Sequence, residues 1–213
     1  MNNKTLRYLT ISLALIFCVG QRTALADDIV NITVNTSSLP VVPGSEIVFE
    51  LTDGSGIGDA NNTATLSGFG LGGGLAGGVD TINSTGGFSP SSSLGSAVSM
   101  TDSSFLNLFG QFLTPGNSLS FTLDLTTNLD AGGTPDQFSM YIFDPNGIPI
   151  ATTDPTLLDS LLTINLDAPN PTSNNYVPTL LTVTPVPEPS SLLLIVLGFA
   201  SLGLLRRRVR LSD

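Results

Sequence analysis

The central part of the chain lacks every basic side chain. The protein has 213 residues and no His, and all seven Lys and Arg lie outside residues 27–205. Sixteen of the seventeen acidic residues lie within that stretch. Side-chain salt bridges are therefore impossible there. Because no cation can neutralise phosphates, we expect no nucleic-acid binding. The acidic surface should attract cations such as Ca²⁺ without specificity.

Catalytic side chains are equally scarce. Residues 27–205 offer no His for acid–base chemistry near neutral pH and no Lys for Schiff-base chemistry. The single Cys, Cys18, lies in an N-terminal segment that we expect to be removed, so the mature chain has no disulfide and no thiolate metal site. Carboxylates and hydroxyls alone can hydrolyse glycosides, but the acids are spread thinly along the chain. We therefore predict that the protein is not an enzyme.

The first 26 residues are typical of a secretory signal peptide. Lys4 and Arg7 precede an apolar run at 9–20, and Ala24-Leu25-Ala26 has the small residues of a cleavage site. The apolar run is too short for a comfortable membrane span. The pattern predicts that signal peptidase, recognising Ala24 and Ala26, exposes Asp27 as the new N-terminus. A retained N-terminal anchor is the alternative.

Residues 27–168 show the period-two pattern of β-strands. In the stretch SLSFTLDLT, residues 118–126, apolar and polar side chains alternate strictly. The stretches at 46–52 and 138–142 alternate in the same way. Many short strands separated by turns predict an all-β body, an antiparallel β-sandwich or jelly roll.

Three segments depart from this pattern. The apolar spacing in 103–113 is compatible with one short amphipathic helix. The glycine-rich stretch 68–88 predicts a long flexible surface loop. The proline-rich stretch 169–185 predicts an extended linker, to which 180–183 could add a last strand.

Two aspartates are candidate calcium ligands. The stretch DGSGIGD places Asp53 and Asp59 close together, with Asn61 and Asn62 behind them. Ca²⁺ takes six to eight oxygen ligands, but this stretch lacks the regular acid spacing and the closing Glu of an EF-hand. We therefore predict no bound cofactor, with Asp53 and Asp59 as the residues to watch for Ca²⁺. The stretch is predicted to be a plain turn or loop, and a specific Ca²⁺ site is the alternative.

The C-terminal region combines a short apolar run with a basic end. Residues 191–205 carry no charge and, as a helix, would span about 22 Å against a bilayer core of about 30 Å. Flanking residues and local thinning of the bilayer can close that gap. A basic cluster follows, which by the positive-inside rule keeps this end cytoplasmic. The cluster consists of Arg206, Arg207, Arg208 and Arg210. The pattern predicts a single transmembrane helix with the body outside.

The order of these parts resembles the PEP-CTERM sorting signal of Gram-negative bacteria. Pro187-Glu188-Pro189, the short span and the arginine cluster follow one another over 186–210. The resemblance implies that exosortase, an integral-membrane enzyme, cleaves near Pro-Glu-Pro and that the body is released or passed to the outer surface. Proteins with this signal are typically linked to exopolysaccharide and biofilm production. An ordinary single-pass anchor is the alternative.

The body, too, resembles a recurrent PEP-CTERM body type of unknown function. The stretches at 34–39, 101–128, 136–155 and 160–167 carry the resemblance, which brings no functional residues with it. We expect an exported structural protein that passes through a tethered state in the inner membrane to the cell surface or extracellular matrix. Its expected partners are signal peptidase, exosortase and matrix exopolysaccharide. A carbohydrate-binding module and a glycoside-active enzyme are the alternatives.

Overall fold

The body is a sandwich of two antiparallel six-stranded sheets. The computed structural model describes residues 28–54, 56–128, 134–166 and 171–186. Within them lie twelve strands and one turn of 3-10 helix at Thr36–Ser38. The strands are β1 (Asp28–Asn35), β2 (Ser45–Thr52), β3 (Thr63–Gly70), β4 (Leu75–Thr85), β5 (Gly87–Phe88), β6 (Ala97–Thr101), β7 (Leu106–Thr114), β8 (Ser118–Leu125), β9 (Gln137–Phe143), β10 (Leu162–Asn165), β11 (Thr172–Asn175) and β12 (Leu181–Pro185). The predicted all-β antiparallel body is confirmed.

The chain crosses repeatedly between the sheets. Sheet A has the order β12-β1-β8-β3-β6-β5, and sheet B has the order β11-β10-β9-β2-β7-β4. Consecutive strands such as β1 and β2, or β7 and β8, therefore belong to opposite sheets. Most hydrogen-bonded neighbours are distant in sequence, which is the usual arrangement of an antiparallel sandwich.

In the strands whose sequence alternates strictly, apolar side chains face the core and polar side chains face the solvent. In β8 every second residue is buried, beginning with Leu119 and ending with Leu125. In β2 the side chains of Ile47, Phe49 and Leu51 are fully buried between the sheets. Because successive strand residues point to opposite faces, the intervening residues form the two outer surfaces.

Phenylalanine rings form the centre of the core. The ring of Phe49 lies 5.4 Å from that of Phe121, edge to face, and 6.2 Å from that of Phe138. Phe69 closes the group, at 5.4 Å from Phe121. These rings come from β2, β3, β8 and β9, so the cluster joins the two sheets. Such ring pairs add stability beyond the burial of their area.

The helix expected at 103–113 is wrong, because Leu106–Thr114 forms β7. Between β2 and β4, this strand buries Phe109 and Leu113 on its inner face, together with the amides of Asn107 and Gln111. Apolar residues also occupy its outer face, among them Phe112. Apolar residues on both faces of one strand produce the three- and four-residue spacings that imitate a helix.

The flexible loop expected at 68–88 is also wrong. Most of this stretch belongs to β3, β4 and β5, and β4 pairs with β7 through two irregular registers. The glycines permit close backbone contact rather than disorder. Gly72 has φ +56°, and a Cβ on it would lie 2.5 Å from the amide nitrogen of Ser118. Only glycine fits such a turn without strain.

The proline-rich stretch continues the sandwich further than a linker would. β11 pairs with β10, and β12 pairs with β1 from Val34↔Leu181 to Val30↔Pro185. The last strand anticipated at 180–183 is thus β12, which extends to Pro185. Leu181 is buried in the core, so this strand is part of the packed body.

The expected targeting segments lie outside the described residues. This applies to the signal peptide at 1–26 and to the transmembrane helix at 191–205. Helical structure in the described part of the chain is too short and too polar to cross a membrane.

The central ring cluster predicts a large effect of truncating Phe49. We expect Phe49→Ala to lower the free energy of unfolding by about 3–5 kcal/mol, because it leaves a cavity between the sheets. Phe112→Ala is the matched control. Phe112 is 41% exposed on the outer face of sheet B, so its loss should cost less than about 1 kcal/mol. Urea denaturation of the purified body measures both, and equal losses would contradict the assignment of the core.

Candidate functional site

Both ends of the body emerge side by side. β1 begins at Asp28, beside Leu125 at the end of β8, and β12 ends at Pro185, opposite Val30. The amide of Val186 still donates a 2.8 Å hydrogen bond to the carbonyl of Ile29. The expected sorting tripeptide, which starts at residue 187, therefore follows directly on the last backbone hydrogen bond of the sandwich.

Several loops surround these two chain ends. We call this region the chain-end face. It comprises the start of β1, the end of β12, and residues 52–54, 56–63, 101–106, 125–128 and 134–137. The loops connect β2 with β3, β6 with β7, and β8 with β9, so each of them passes from one sheet to the other.

The two candidate calcium ligands lie on the chain-end face but differ in exposure. Asp53 is fully buried, and its carboxylate accepts hydrogen bonds from the amides of Gly56, at 2.7 Å, and Gly58. Asp59 is exposed and accepts bonds of 3.1 and 2.9 Å from the amide and side chain of Asn61. Both carboxylates thus order their own loop. Among the described residues, no group of three or more Asp, Glu, Cys or His could hold a metal ion. The Ca²⁺ assignment stays a prediction.

Asn62 ties the loops of the chain-end face together. Its side-chain nitrogen donates to Asp136 Oδ2 at 2.6 Å and to the carbonyl of Asn128 at 2.8 Å. Its side-chain oxygen accepts from the amide of Asn128 at 2.7 Å. Its backbone amide lies 3.1 Å from both oxygens of Asp102. Asn62 thus links its own loop to the β8–β9 connection through its side chain and to Asp102 through its backbone amide.

Asp102 and Asp136 form a close carboxyl pair in this network. The pKa of Asp102 is raised to about 7, chiefly by burial and also by the hydrogen bond to Asp136 and the charges of Asp136 and Asp59, whereas the hydrogen bond from the Asn62 amide lowers it. Asp136 Oδ1 also accepts a 2.7 Å bond from the amide of Gly54. The region has no cation, so the raised pKa of Asp102 favours its protonated form below about pH 7.

A second carboxyl with a raised pKa lies on the outer face of sheet B. Glu46 is 4% exposed, and a side chain on Gly110 would collide with its Oε1 atom. The pKa of Glu46 is raised to about 7, chiefly by burial and also by Asp80, whereas the hydrogen bond from the Asn83 amide lowers it. Oε1 has no hydrogen-bond partner among the described residues, which disfavours the charged form of this buried carboxyl.

The outer face of sheet A is covered with hydroxyl and amide side chains. We call it the hydroxyl face. Asn31 lies between Thr122 of β8 and Thr184 of β12, and Thr122 donates a 2.8 Å bond to the Asn31 side chain. Among the outward positions of the described strands of this sheet, Asp124 is the only charged side chain. The face is formed by Asn31, Thr33, Asn35, Thr63, Thr65, Ser67, Ser99, Thr101, Ser118, Ser120, Thr122, Thr182 and Thr184.

The other predicted site residues lie outside the described residues. These are Ala24 and Ala26 of the cleavage site, the sorting motif Pro187, Glu188 and Pro189, and the basic cluster Arg206, Arg207, Arg208 and Arg210. Conversely, the sequence interpretation did not single out Asp102 and Asp136, and it named Asn62 only as a neighbour of the candidate calcium ligands. Their partners lie 40 to 82 residues away, so local spacing could not reveal them. The available signal was that each acid borders a strand.

Comparison with known proteins identifies the C-terminal segment. Residues 185–208 match the model of the PEP-CTERM protein-sorting motif. No curated protein and no solved structure matches the chain. The molecule is thus a β-sandwich whose last strand leads directly into a sorting signal. More particularly, the chain carries a PEP-CTERM sorting motif, and the match begins at Pro185, the final residue of β12.

The motif indicates how the protein is exported and sorted. It supports an exported protein that is sorted by exosortase. It also implies a membrane-associated intermediate that is followed by surface display. The body described above is therefore the part of the chain that is displayed.

The raised pKa values predict that the body becomes less stable as the pH rises from 5 to 8. Folding holds protons on Asp102 and Glu46 up to about pH 7, whereas the unfolded chain releases them near 3.8 and 4.5. The folded state thus binds more protons in this range, and the free energy of unfolding falls with rising pH. Stabilisation is complete below about pH 4 and is lost as the pH passes 7.

Replacement of Asp102 by Asn tests this account. We expect Asp102→Asn to be more stable than the wild type at pH 8 and to show a flatter pH dependence, since the amide needs no proton. Asp144→Asn is the control, because hydrogen bonds from the Ile148 and Asn146 amides lower the pKa of this exposed turn residue. Urea unfolding at both pH values measures the slopes, and an unchanged slope in Asp102→Asn would contradict the assignment.

Proposed function

We propose that the body is a non-enzymatic structural component of the cell surface or of a biofilm exopolysaccharide matrix. Exosortase would cleave the chain near Pro187-Glu188-Pro189, and the sandwich would then associate with polysaccharide through the hydroxyl face. The cell would be a Gram-negative bacterium, as the resemblance of the sorting signal implies. Signal peptidase would remove residues 1–26 on the way.

The hydroxyl face is the observation that carries this proposal. Its side chains lie in rows across neighbouring strands, such as Thr184–Asn31–Thr122–Ser67. Strands are spaced by about 4.8 Å, and alternate residues on one strand by about 6.7 Å, so donors and acceptors recur across a flat surface. Sugars offer hydroxyl groups at comparable density. Many weak hydrogen bonds of this kind suit association with a long repeating polymer.

The charge of the body favours a neutral polysaccharide. Residues 27–205 contain no Lys, Arg or His, so no basic side chain is present to pair with uronate, sulfate or phosphate groups. An acidic protein also repels a polyanion. The near absence of charge on the hydroxyl face therefore matches a neutral glycan better than an acidic one.

A carbohydrate-binding module that stacks sugar on aromatic rings is the second candidate. On the outer face of sheet B, Phe112 and Phe143 lie on either side of Glu46, one strand away in each direction. Phe112 is 41% exposed, and Phe143 is half-buried. The rings thus flank a carboxyl group at roughly 10 Å from each other, given two strand spacings. Glu46 itself is only 4% exposed, so the two rings rather than the carboxyl group would carry the contact with sugar.

The proposal of a non-enzymatic body rests on the same inventory of side chains. Glycoside hydrolysis needs two carboxyl groups facing one cleft. The pair considered from sequence, Asp53 and Asp59, consists of one buried and one exposed carboxylate, each bonded within its loop. Such carboxylates support the loop rather than a reaction.

Retention of the mature body on a neutral polysaccharide tests the proposed function. The probe is the neutral fraction of matrix polysaccharide from the producing strain, immobilised on a column, with an anionic polysaccharide as comparison. We expect retention on the neutral column only. The double variant Asn31→Asp/Thr33→Asp should bind about tenfold more weakly, because desolvating two new charges is costly.

The chain offers a matched control for that variant. Thr172→Asp/Asn174→Asp adds the same two charges at exposed positions of β11, on the edge of sheet B, and should bind like the wild type. If Phe112→Ala abolishes retention while Asn31→Asp/Thr33→Asp does not, the aromatic module is correct. If the wild type is retained on neither column, the proposed association with polysaccharide is wrong.

A further inference from the structure

The sandwich lies within a short reach of the membrane before it is cleaved. β12 ends at Pro185, and only residues 186–190 separate it from the apolar run at 191–205. Five residues span at most about 18 Å even when fully extended. During the membrane-associated stage, the end of β12 is therefore held within that distance of the apolar part of the bilayer, with the chain-end face around it. The enzyme that cuts between them must work in this narrow space.

The chain-end face carries two large apolar side chains in adjacent loops. Ile57 is 78% exposed and Phe105 is 59% exposed. The loops are joined by a 3.0 Å bond from the amide of Asp53 to the carbonyl of Phe105. A Cβ on Gly56, the residue before Ile57, would lie 3.8 Å from the Phe105 ring, so the two loops lie close together beside that ring. Apolar side chains concentrated at one place on a surface are typical of interaction sites.

Two carboxylates lie on the same chain-end face as this apolar pair. Asp59 is exposed two residues beyond Ile57, and Asp28 is half-buried where β1 begins. An acidic rim is repelled by the anionic lipids of a membrane surface, so direct insertion of the pair into lipid is disfavoured. A protein surface that pairs basic groups with the acids and covers the apolar side chains satisfies both features. The cleaving enzyme is the protein that the short tether brings within reach.

We propose that the chain-end face is a docking surface for the membrane-embedded enzyme that cleaves the sorting motif, with Ile57 and Phe105 as apolar contacts and Asp28 and Asp59 facing a basic region of that enzyme. The inference rests on sorting by exosortase and not on what the mature body binds. A body that is processed but is not retained by polysaccharide would leave it intact. The sandwich then contributes to recognition together with the motif.

Site-specific cross-linking tests the contact directly. A photoreactive amino acid replaces Ile57 in the full-length chain, expressed with exosortase, and adducts are identified by mass spectrometry. The control is the same replacement at Ile148, which is 60% exposed in the β9–β10 connection at the opposite end of the sandwich. We expect adducts with exosortase from position 57 and none from 148. Adducts with lipid alone, adducts with a second copy alone, or no adduct from position 57 would overturn the proposal.

Processing rates give an independent measure. In pulse-chase experiments we expect the double variant Ile57→Ser/Phe105→Ser to be cleaved about tenfold more slowly, as is typical when central apolar contacts of an interface are lost. Ile148→Ser should be cleaved like the wild type. Thermal melting of the purified bodies shows whether each variant is folded. Equal rates for the folded double variant and the wild type would overturn the proposal.

A pair of milder variants covers the case in which the double variant does not fold. Asp59→Asn and Asp144→Asn each remove one charge but keep the side-chain oxygen that accepts a hydrogen bond from the amide two residues on. Asp59→Asn should slow cleavage at low salt, and the difference should shrink at high salt, because screening weakens the charge contact. Asp144→Asn, at the far end, should have no effect. Identical behaviour of the two variants would contradict the role of the acidic rim.

Discussion

The pairing of β1 with β8 and β12 is the constraint on which the rest of the structure depends. It places the first strand of the body between strands that lie about 90 and 150 residues further along the chain. Sheet A is therefore incomplete until almost the whole body is available, and such non-local pairing forms slowly. The same pairing brings the N-terminal and C-terminal ends of the body together. One end of the sandwich therefore carries both ends of the described body, at Asp28 and at Val186.

Without basic residues, the body satisfies its buried carboxylates by other means. Backbone amides of Gly56 and Gly58 serve Asp53, and the amide side chain of Asn62 joins the loops around Asp136. Where two carboxyls meet, as at Asp102 and at Glu46, a proton is retained up to about pH 7. These arrangements cost stability at high pH, but they leave the outer faces nearly uncharged where hydroxyl groups dominate. The composition and the proposed use of the surface are thus consistent.

The sequence predicts strands well where one face is wet, and poorly where both faces are apolar. β2 and β8 alternate strictly, because their outward residues meet solvent or polar neighbours. β7 carries apolar residues on both faces, and β4 is rich in glycine and pairs irregularly. Neither segment therefore shows the alternation of apolar and polar residues by which a strand is recognised from sequence. The Asn62 network joins loops that are distant in sequence, and only the register of the sheets brings them together. The sorting signal could be predicted from sequence alone, because its parts are contiguous in the chain.

The central claim is that the packed sandwich extends to Pro185 and that the sorting signal begins there. The intact mass of the mature protein, purified from cells with and without exosortase, tests it most directly. We predict a chain that begins at Asp27 and ends within 187–190, so that β12 is retained and the arginines are lost, and only when exosortase is present. A mature chain that keeps residues 206–213 in both strains, or one that ends before Pro185, would contradict the account.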